Sequence, residues 1–342
     1  MARGGAHFVA EELAQVLSHY DVGVIHEIKP LAAGNHRAPK MVIISGKGKF
    51  LLKRRPKGKD DIYHVSFAHA IQTHLAQRGF PVTALISTID EKNTILQLDH
   101  HIYELFRFVS GTRYDGSAAA TIEAGRQLAV LHQKLADFGC EWKPLQSSFH
   151  DSSVVRRYLK TTGGGQGGTA EEGMQEVTDV LMTLYNASSV RVNELGFDSW
   201  LQQVVHGDWH PGNMLFAEHQ LAAVLDFDSA KISPTATDLA NGMLQFSIVG
   251  GRPHPADWPS YLDQAKLVQF LDGYREKSRL EKNKVSALPD LMMETMIAEA
   301  ILPIAATGTF GTLSGLDFLK MIRRKAEYID AHRQTLCEAI GA

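Results

Sequence analysis

The chain has 342 residues, of which 44% are hydrophobic and 21% are charged, and its formal net charge is −3 at pH 7. This composition excludes disordered, collagen-like and membrane-spanning proteins, and a net charge so near zero gives no reason to expect a nucleic-acid partner. Two cysteines cannot build a disulfide framework, and acidic residues near the N-terminus argue against a secretory signal, so we expect a cytoplasmic protein with no membrane partner.

Strand-like segments separated by glycine and proline turns dominate the first 108 residues. The pattern predicts a helix at 8–19, strands at 25–31, 41–44 and 50–53, a helix at about 64–77, and strands at 94–98 and 101–108. Together these elements form a small antiparallel sheet with one inserted helix.

The rest of the chain has mostly helical periodicity. Helices are predicted at 118–137, 171–187, 238–249, 260–275, 290–302 and 315–337, with short strands at 203–206 and 221–226. We therefore predict an α+β protein with two domains, a sheet-containing domain at 1–108 and a helical domain at 109–342.

Charge is distributed unevenly between these two parts. Residues 1–110 contain 14 Lys and Arg against 10 Asp and Glu, whereas the remainder contains 21 against 28. Eight of the basic residues fall within 40–59. This cluster is either the solvated face of a hairpin or a site for an anion such as polyphosphate, and the pattern does not distinguish them.

The stretch 204–231, VVHGDWHPGNMLFAEHQLAAVLDFDSAK, contains the most informative residues. Asp208 follows a predicted strand, Asn213 comes five residues later, and Asp226 ends the next apolar strand. Phosphoryl transfer needs a carboxylate to orient and deprotonate a hydroxyl, and oxygen ligands for Mg²⁺. A hairpin between Asn213 and Asp226 brings these two residues side by side.

Two other interpretations of this stretch remain open. Asp and Asn are common turn residues, so the motif can consist of two polar turns that flank a buried hairpin. Alternatively, His206, Asp208 and His210 form an H-x-D-x-H cluster that suits zinc or manganese in a metal-dependent hydrolase.

The motif HGDWHPGNMLF, followed by LDFDSA, resembles the signature of the aminoglycoside phosphotransferase and choline kinase-like family, which has a bilobal protein-kinase-like fold. The resemblance implies an ATP- and Mg²⁺-dependent kinase with Asp208 as catalytic base and Asn213 and Asp226 as Mg²⁺ ligands. His206 matches the histidine that supports the catalytic loop. Asp238 resembles a structural aspartate, and we expect it to cap the helix at 238–249.

The resemblance also assigns residues in the N-terminal part. Lys53, in FLLKR, matches the lysine that holds the α- and β-phosphates, and Gly34, in LAAGNHRA, lies where the nucleotide loop crosses the phosphates. The stretch 103–108, YELFRF, falls at the linker between lobes, so Glu104 and Phe106 are expected to offer backbone groups to adenine.

Two features depart from the family pattern. The nucleotide loop contains one glycine instead of three, and Ala68 stands where a glutamate partner for Lys53 is expected. Either a different residue steadies Lys53 or the register is shifted. A pseudokinase that binds nucleotide without transfer therefore remains an alternative.

The phosphate acceptor is expected to be a hydroxyl of a small molecule such as an amino sugar, amino alcohol or hydroxy amino acid. Trp209, His210 and Glu294 are candidates for its pocket, and Glu299 can also face it. The acidic balance of the helical part favours a cationic acceptor. A protein serine or threonine is the alternative acceptor.

Overall fold

A computed structural model describes residues 7–31, 38–141, 148–164 and 172–342. These residues divide into two compact units. Unit 1 lies within 1–113, 137–144 and 213–230, and unit 2 lies within 114–136, 145–212 and 231–342. The units differ from the predicted domains at 1–108 and 109–342 because residues 213–230 group with the N-terminal sheet.

An antiparallel sheet forms the centre of unit 1. Its strands are β1 (Ile25–Pro30), β2 (Lys40–Ser45), β3 (Gly48–Arg54), β4 (Leu85–Ile86), β5 (Leu96–Leu98) and β6 (His101–Arg107). In the described residues the strand order is β1-β2-β3-β6-β4, and β5 also pairs with β6. Branched and aromatic side chains suit this pleated surface, and Ile43, Phe50, Leu52 and Leu105 are buried in its core.

Two helices accompany the sheet in unit 1, α1 (Ala10–Ser18) and α2 (Ile62–Gln77). Helix α2 begins after Asp61, whose carboxylate accepts the backbone N–H of His64 at 2.9 Å. It ends before Gly79, whose φ of +67° needs a residue without a side chain. The predicted inserted helix therefore exists within two residues of its expected bounds.

Four further strands follow in the chain: β7 (Gln202–Val205), β8 (Met214–Ala217), β9 (Gln220–Val224) and β10 (Lys231–Pro234). Strands β8 and β9 form a hairpin in unit 1, and bridges from Val82 to Val224 and from Thr112 to Phe216 join this hairpin to the rest of the unit. Strand β7 pairs with β10 in unit 2.

Unit 2 is mostly helical, which confirms the predicted α+β architecture. Its helices are α3 (Ala118–Leu135), α4 (Ser153–Gly164), α5 (Met174–Glu194), α6 (Thr235–Ser247), α7 (Gln264–Arg275), α8 (Lys282–Thr307), α9 (Gly315–Ala331) and α10 (Arg333–Ala339). A short ribbon of β11 (Thr309–Phe310) and β12 (Leu313–Ser314) lies between α8 and α9.

Helices α3 and α7 approach each other closely at two glycines. A Cβ atom on Gly125 would lie 1.9 Å from the carbonyl oxygen of Phe270, and one on Gly273 would lie 1.9 Å from that of Ile122. Each helix thus presents a bare backbone to the other, so these positions tolerate only glycine.

Helix α8 is buried along most of its length and supplies much of the core of unit 2. A helix that is apolar on all sides belongs to a protein interior or a membrane. In the described part of the chain, however, no helix combines the length and the apolar character needed to cross a bilayer.

Candidate active site

Lys53 has a buried carboxylate as its partner in unit 1. The register of β3 against β6 places Lys53 directly opposite Glu104, and Nζ lies 3.5 Å from Oε2. The Glu104 side chain is fully buried, and its Oε1 accepts a hydrogen bond from Nε2 of His69 at 2.7 Å. The carboxylate that was expected at Ala68 on α2 therefore comes from strand β6.

This position corrects the sequence prediction for Glu104 and Phe106. Both residues lie inside strand β6 instead of a linker. Phe106 pairs with Leu51 on one side and with Leu85 on the other, so the sheet itself surrounds this residue. The buried Glu104 carboxylate instead contacts Lys53, Arg55 and His69.

Arg55 connects this ion pair to the turn that follows strand β9. Its Nη2 donates to Glu104 Oε1 at 2.9 Å and to Asp228 Oδ1 at 2.8 Å. Asp228 lies two residues after Asp226, and its backbone N–H approaches Asp226 Oδ1 at 3.4 Å. A continuous chain of charged groups thus links Lys53 to the turn that carries Asp226.

The charges in this network stabilise one another despite their burial. Burial alone would raise the pKa of Glu104, but Lys53, His69 and Arg55 together hold it well below its usual range. Burial would likewise lower the pKa of Arg55, and the carboxylates of Glu104 and Asp228 raise it instead. Each carboxylate and guanidinium in the network is therefore charged at neutral pH.

A second lysine lies across the sheet from Lys53. Lys40 on β2 is the cross-strand partner of Lys53. Burial and the Lys53 charge lower the pKa of Lys40, while the Asp226 carboxylate opposes this shift. Two ammonium groups side by side form a site that favours a multiply charged anion. This juxtaposition is compatible with the anion-site interpretation of the basic stretch for these two lysines.

Asn213 and Asp226 meet at the open end of the β8–β9 hairpin. The backbone N–H of Leu225 donates to the carbonyl oxygen of Asn213 at 2.8 Å, so the two side chains leave adjacent positions. Asp226 has a φ of +59°, a left-handed conformation that is uncommon outside glycine and is typical of functional turns.

The donor set at this end of the hairpin suits Mg²⁺. Mg²⁺ prefers oxygen ligands and is usually held by one or two protein side chains together with substrate phosphates. Within the described ranges, no group of three or more His, Cys, Asp or Glu residues is placed to hold a metal. Asn213 offers an amide oxygen and Asp226 a carboxylate, which are ligand types that Mg²⁺ accepts.

Gly34, the predicted nucleotide-loop glycine, lies outside the described residues.

Asp238 organises the loop that follows β7 in unit 2. Its fully buried carboxylate accepts the backbone N–H groups of His206 at 2.9 Å and Gly207 at 2.8 Å, and it lies 3.1 Å from Nε2 of His132. The expected helix cap is wrong, because α6 begins at Thr235 and places Asp238 within its first turn. From there the carboxylate reaches the loop, as a structural aspartate should.

Asp208 projects from this loop with a third of its side chain exposed (35%). Its backbone N–H donates to Nδ1 of the buried His206 at 3.3 Å. Nε2 of His210 lies 3.5 Å from Asp208 Oδ2. The loop therefore holds one water-accessible carboxylate against a rigid, buried support.

Trp209 packs inside the loop, which favours a packing role for this residue over the equally open alternative that it lines the acceptor pocket. Its side chain is fully buried and its ring packs edge-on to that of His206, with 5.4 Å between centroids. Its backbone N–H donates to Asn241 Oδ1 at 2.9 Å.

Glu299 lies near Asp208 in unit 2. Its two carboxylate oxygens accept hydrogen bonds from Nδ2 of Asn241 at 2.8 Å and from Nε2 of Gln245 at 2.6 Å. Burial and the negative charge of Asp208 raise the pKa of Glu299 to about 7. Two carboxylates that repel each other in this way favour a cation beside them.

Glu294, the other predicted acceptor residue, is engaged by neighbouring side chains. Its carboxylate forms hydrogen bonds with Nδ1 of His150 at 2.8 Å and with the hydroxyl of Ser189. Burial raises the pKa of Glu294, although His150 opposes the shift. Glu294 nevertheless lines a recess in unit 2.

The H-x-D-x-H motif does not assemble a metal centre. His206 is fully buried against Trp209 and accepts a backbone hydrogen bond, and His210 Nδ1 accepts the N–H of Gly212 at 2.9 Å. These contacts engage Nδ1 of each imidazole.

Several residues of the network were not identified as functional from the sequence. His69 on α2, Arg55 after β3 and Asp228 after β9 are separated along the chain, and the fold brings them together through Glu104 and Arg55. Two signals were available: Asp228 is the second acid of the DFDSA turn, and Arg55 is one of the eight basic residues within 40–59.

Comparison with known proteins agrees with this geometry. A family model described as "Phosphotransferase enzyme family" matches residues 27–279. A homoserine kinase of Bradyrhizobium diazoefficiens is 24% identical over 284 residues, which cover 82% of this chain and 79% of that protein.

Two solved structures share the fold. One is amicoumacin kinase in complex with AMP-PNP, Ca²⁺ and Ami, with a TM-score of 0.69 and 14% identity over 95% of this chain and 94% of that one. The other is the microcompartment-associated aminopropanol kinase, with a TM-score of 0.69 and 16% identity over 96% of this chain and 98% of that one. The match over most of its length shows that the chain belongs to the phosphotransferase enzyme family, as a kinase of small molecules.

Proposed function

We propose that this enzyme transfers the γ-phosphoryl group of ATP to the hydroxyl of a small hydroxylated amine or amino acid. The observation that carries the proposal is the loop around Asp208, where one exposed carboxylate is held by buried His206 and Asp238. Amicoumacin kinase, which has the same fold, binds the ATP analogue AMP-PNP.

Lys53 and Lys40 hold the phosphates of the nucleotide. Glu104 fixes the ammonium group of Lys53, and the opposite lysine adds a second positive charge on the same sheet. Because the transition state of phosphoryl transfer carries charge on its equatorial oxygens, preorganised cations lower the barrier to transfer.

Asn213 and Asp226 would hold Mg²⁺ at the end of the β8–β9 hairpin. The bound ion would neutralise charge on the β- and γ-phosphates. The left-handed backbone of Asp226 and the network through Asp228 and Arg55 fix the direction of the Asp226 carboxylate before substrate binds.

Asp208 orients the acceptor hydroxyl and takes its proton. The hydroxyl oxygen forms a bond to the γ-phosphorus while the bond from that phosphorus to the bridging oxygen of ADP breaks. The proton moves to Asp208 Oδ, and ADP leaves with the bonding electron pair. His206 and Asp238 act on this step only through the position of the loop.

An amine on the acceptor is favoured by the carboxylates of unit 2. Glu299 and Asp208 repel each other enough to raise the pKa of Glu299 to about 7. A bound ammonium would offset this repulsion. The named relatives act on homoserine and aminopropanol, and both compounds carry an amine and a hydroxyl.

The proposal is tested by measuring ADP release from ATP and Mg²⁺ in the presence of single acceptors. The panel contains amino sugars, amino alcohols, hydroxy amino acids and a Ser/Thr peptide, and phosphorylated products are identified by mass spectrometry. We expect a phosphorylated small amine, and the exposed control variant Asp198→Asn should behave as wild type.

Two results would contradict the proposal. Nucleotide binding without transfer to any acceptor would indicate a pseudokinase. Transfer to the peptide alone would indicate a protein kinase.

A further inference from the structure

A recess in unit 2 opens beside the catalytic loop. Its lining includes Gly207, Lys231, Asp238, Asn241, Glu294 and Thr295. Gly207 immediately precedes Asp208 in the chain, so the recess borders the loop that carries the proposed base.

The carboxylates on the wall of the recess already have hydrogen-bond donors. Asp238 accepts two backbone N–H groups and contacts His132, and Glu294 is engaged by His150 and Ser189. A buried acceptor that is satisfied in this way gains little from a ligand. The recess therefore does not select its ligand through these two acids.

Lys231 is the wall residue whose charge is not matched by a close partner. It begins strand β10 opposite Val205, and its Nζ lies 4.3 Å from the centroid of the Phe149 ring. Across the described residues, no carboxylate lies within 4.0 Å of Nζ and no hydrogen-bond acceptor contacts it. An ammonium group donates three hydrogen bonds, so this group can bind an acceptor from a ligand.

Burial and several carboxylates at longer range surround the Lys231 ammonium group. Burial lowers the pKa of Lys231, and the more distant carboxylates of Asp238, Glu299 and Asp208 oppose that shift. These acids attract the ammonium group without forming an ion pair with it. A ligand carboxylate would meet a partly desolvated cation, where a charge-assisted hydrogen bond is strong.

The same acids limit which anions can enter. Asp208 and Glu299 lie near enough to influence Lys231, so a ligand with only negative charge would be repelled. A ligand that also carries an ammonium group avoids this repulsion. The charges of the recess thus match a zwitterion.

We propose that Lys231 binds the carboxylate of the acceptor, and that the acceptor is a short hydroxy amino acid. This inference rests on the proposed function, because it places the hydroxyl of that molecule at Asp208. Lys231 is then a specificity-determining residue that separates hydroxy amino acids from the amino alcohols that lack a carboxylate.

The test compares acceptors that differ only in the carboxylate. L-Homoserine is paired with 3-aminopropan-1-ol, and L-serine with ethanolamine. For wild type we expect kcat/KM to be about 10- to 100-fold higher for the carboxylate-bearing member of the preferred pair. In Lys231→Met this preference should disappear, because the acid loses its partner while the amino alcohol does not.

Binding of L-homoserine by calorimetry without nucleotide gives a second readout that does not depend on transfer. Affinity should fall about 10-fold or more in Lys231→Met and in Lys231→Gln. Lys266→Met is the matched control, since Lys266 also lies over an aromatic ring, 5.9 Å from the Tyr114 centroid, but does not line the recess. It should retain wild-type affinity.

The outcomes separate this inference from the proposed function. Transfer to acceptors of both kinds with equal kcat/KM, or an equal loss for both in Lys231→Met, overturns the role of Lys231 and leaves the kinase activity standing. Binding of L-homoserine that is lost in Lys231→Met supports the subsite even where no ADP is released, and in that case the proposed transfer fails instead.

Discussion

Nζ of Lys53 and Oε2 of Glu104 lie 3.5 Å apart, on directly opposite residues of strands β3 and β6. The partner of the proposed phosphate-binding lysine therefore belongs to the same sheet as the lysine itself. Helix α2 contributes His69, which hydrogen-bonds the carboxylate, and its Ala68 is buried.

Replacing Glu104 with Gln should weaken nucleotide binding and destabilise the protein. The change leaves the buried cations of Lys53 and Arg55 without their shared anion, and breaking a buried pair typically costs about 3–5 kcal/mol. We expect ATP affinity to fall at least about 10-fold at a temperature where circular dichroism shows the variant folded. Glu27→Gln, which breaks an exposed pair with Lys29 on β1, should change neither quantity. Unaltered ATP affinity in Glu104→Gln would separate the ion pair from nucleotide binding.

Asp226→Ala should remove the dependence of nucleotide binding on Mg²⁺. Calorimetry of ATP binding with Mg²⁺ and with EDTA should show a large difference in wild type and almost none in the variant, because a main oxygen ligand is lost. Asp90→Ala, an exposed change in the same unit, is the control. A variant that still responds to Mg²⁺ as wild type does would reject the metal role of Asp226.

Glu299 should make stability depend on pH near neutrality. Its pKa rises from 4.5 to about 7 on folding, so the native state binds an extra proton between these values. The free energy of unfolding should therefore fall as pH rises from 5 to 8, by up to about 3 kcal/mol from this group. Urea unfolding of Glu299→Gln should show a weaker decline over this range, whereas Glu194→Gln, an exposed change, should follow wild type. A steeper decline in Glu299→Gln would contradict the assignment.

Gly273→Ala should destabilise unit 2, because the new Cβ would lie 1.9 Å from the carbonyl oxygen of Ile122 on α3. Separating the two helices should lower the free energy of unfolding by at least about 2 kcal/mol. Gly164→Ala, where nothing lies within 4 Å, should be neutral or slightly stabilising. Equal urea midpoints for the two variants would show that the helices do not need this close approach.

Local signals predicted most of the elements that carry these residues. The turn at Gly79 ended α2 where expected, and alternating apolar residues identified β2, β3 and the strand that ends before Asp226. Helix α4 was missed because its polar residues run into glycines at its end, and β10 was missed because it is short. The predicted helix at 315–337 is interrupted at His332, between α9 and α10.

The sequence likewise suggested some residues of the candidate site and missed the roles of others. Asp208, Asn213 and Asp226 lie within one short motif, so their spacing alone suggested their chemistry. Glu104 became the partner of Lys53 only through the register of β3 against β6, which no local pattern encodes. Asp238 was placed at a helix cap because the three residues that open α6 lack helical periodicity, and only the tertiary contact with Gly207 reveals its task.

The most direct test of the account is the turnover of Asp208→Asn with the best acceptor, measured together with its affinity for ATP. If Asp208 takes the acceptor proton, kcat should fall by about 10²–10⁴-fold while the dissociation constant of ATP stays within about twofold of wild type. A variant that keeps wild-type kcat would show that the proton leaves by another route and would contradict the account.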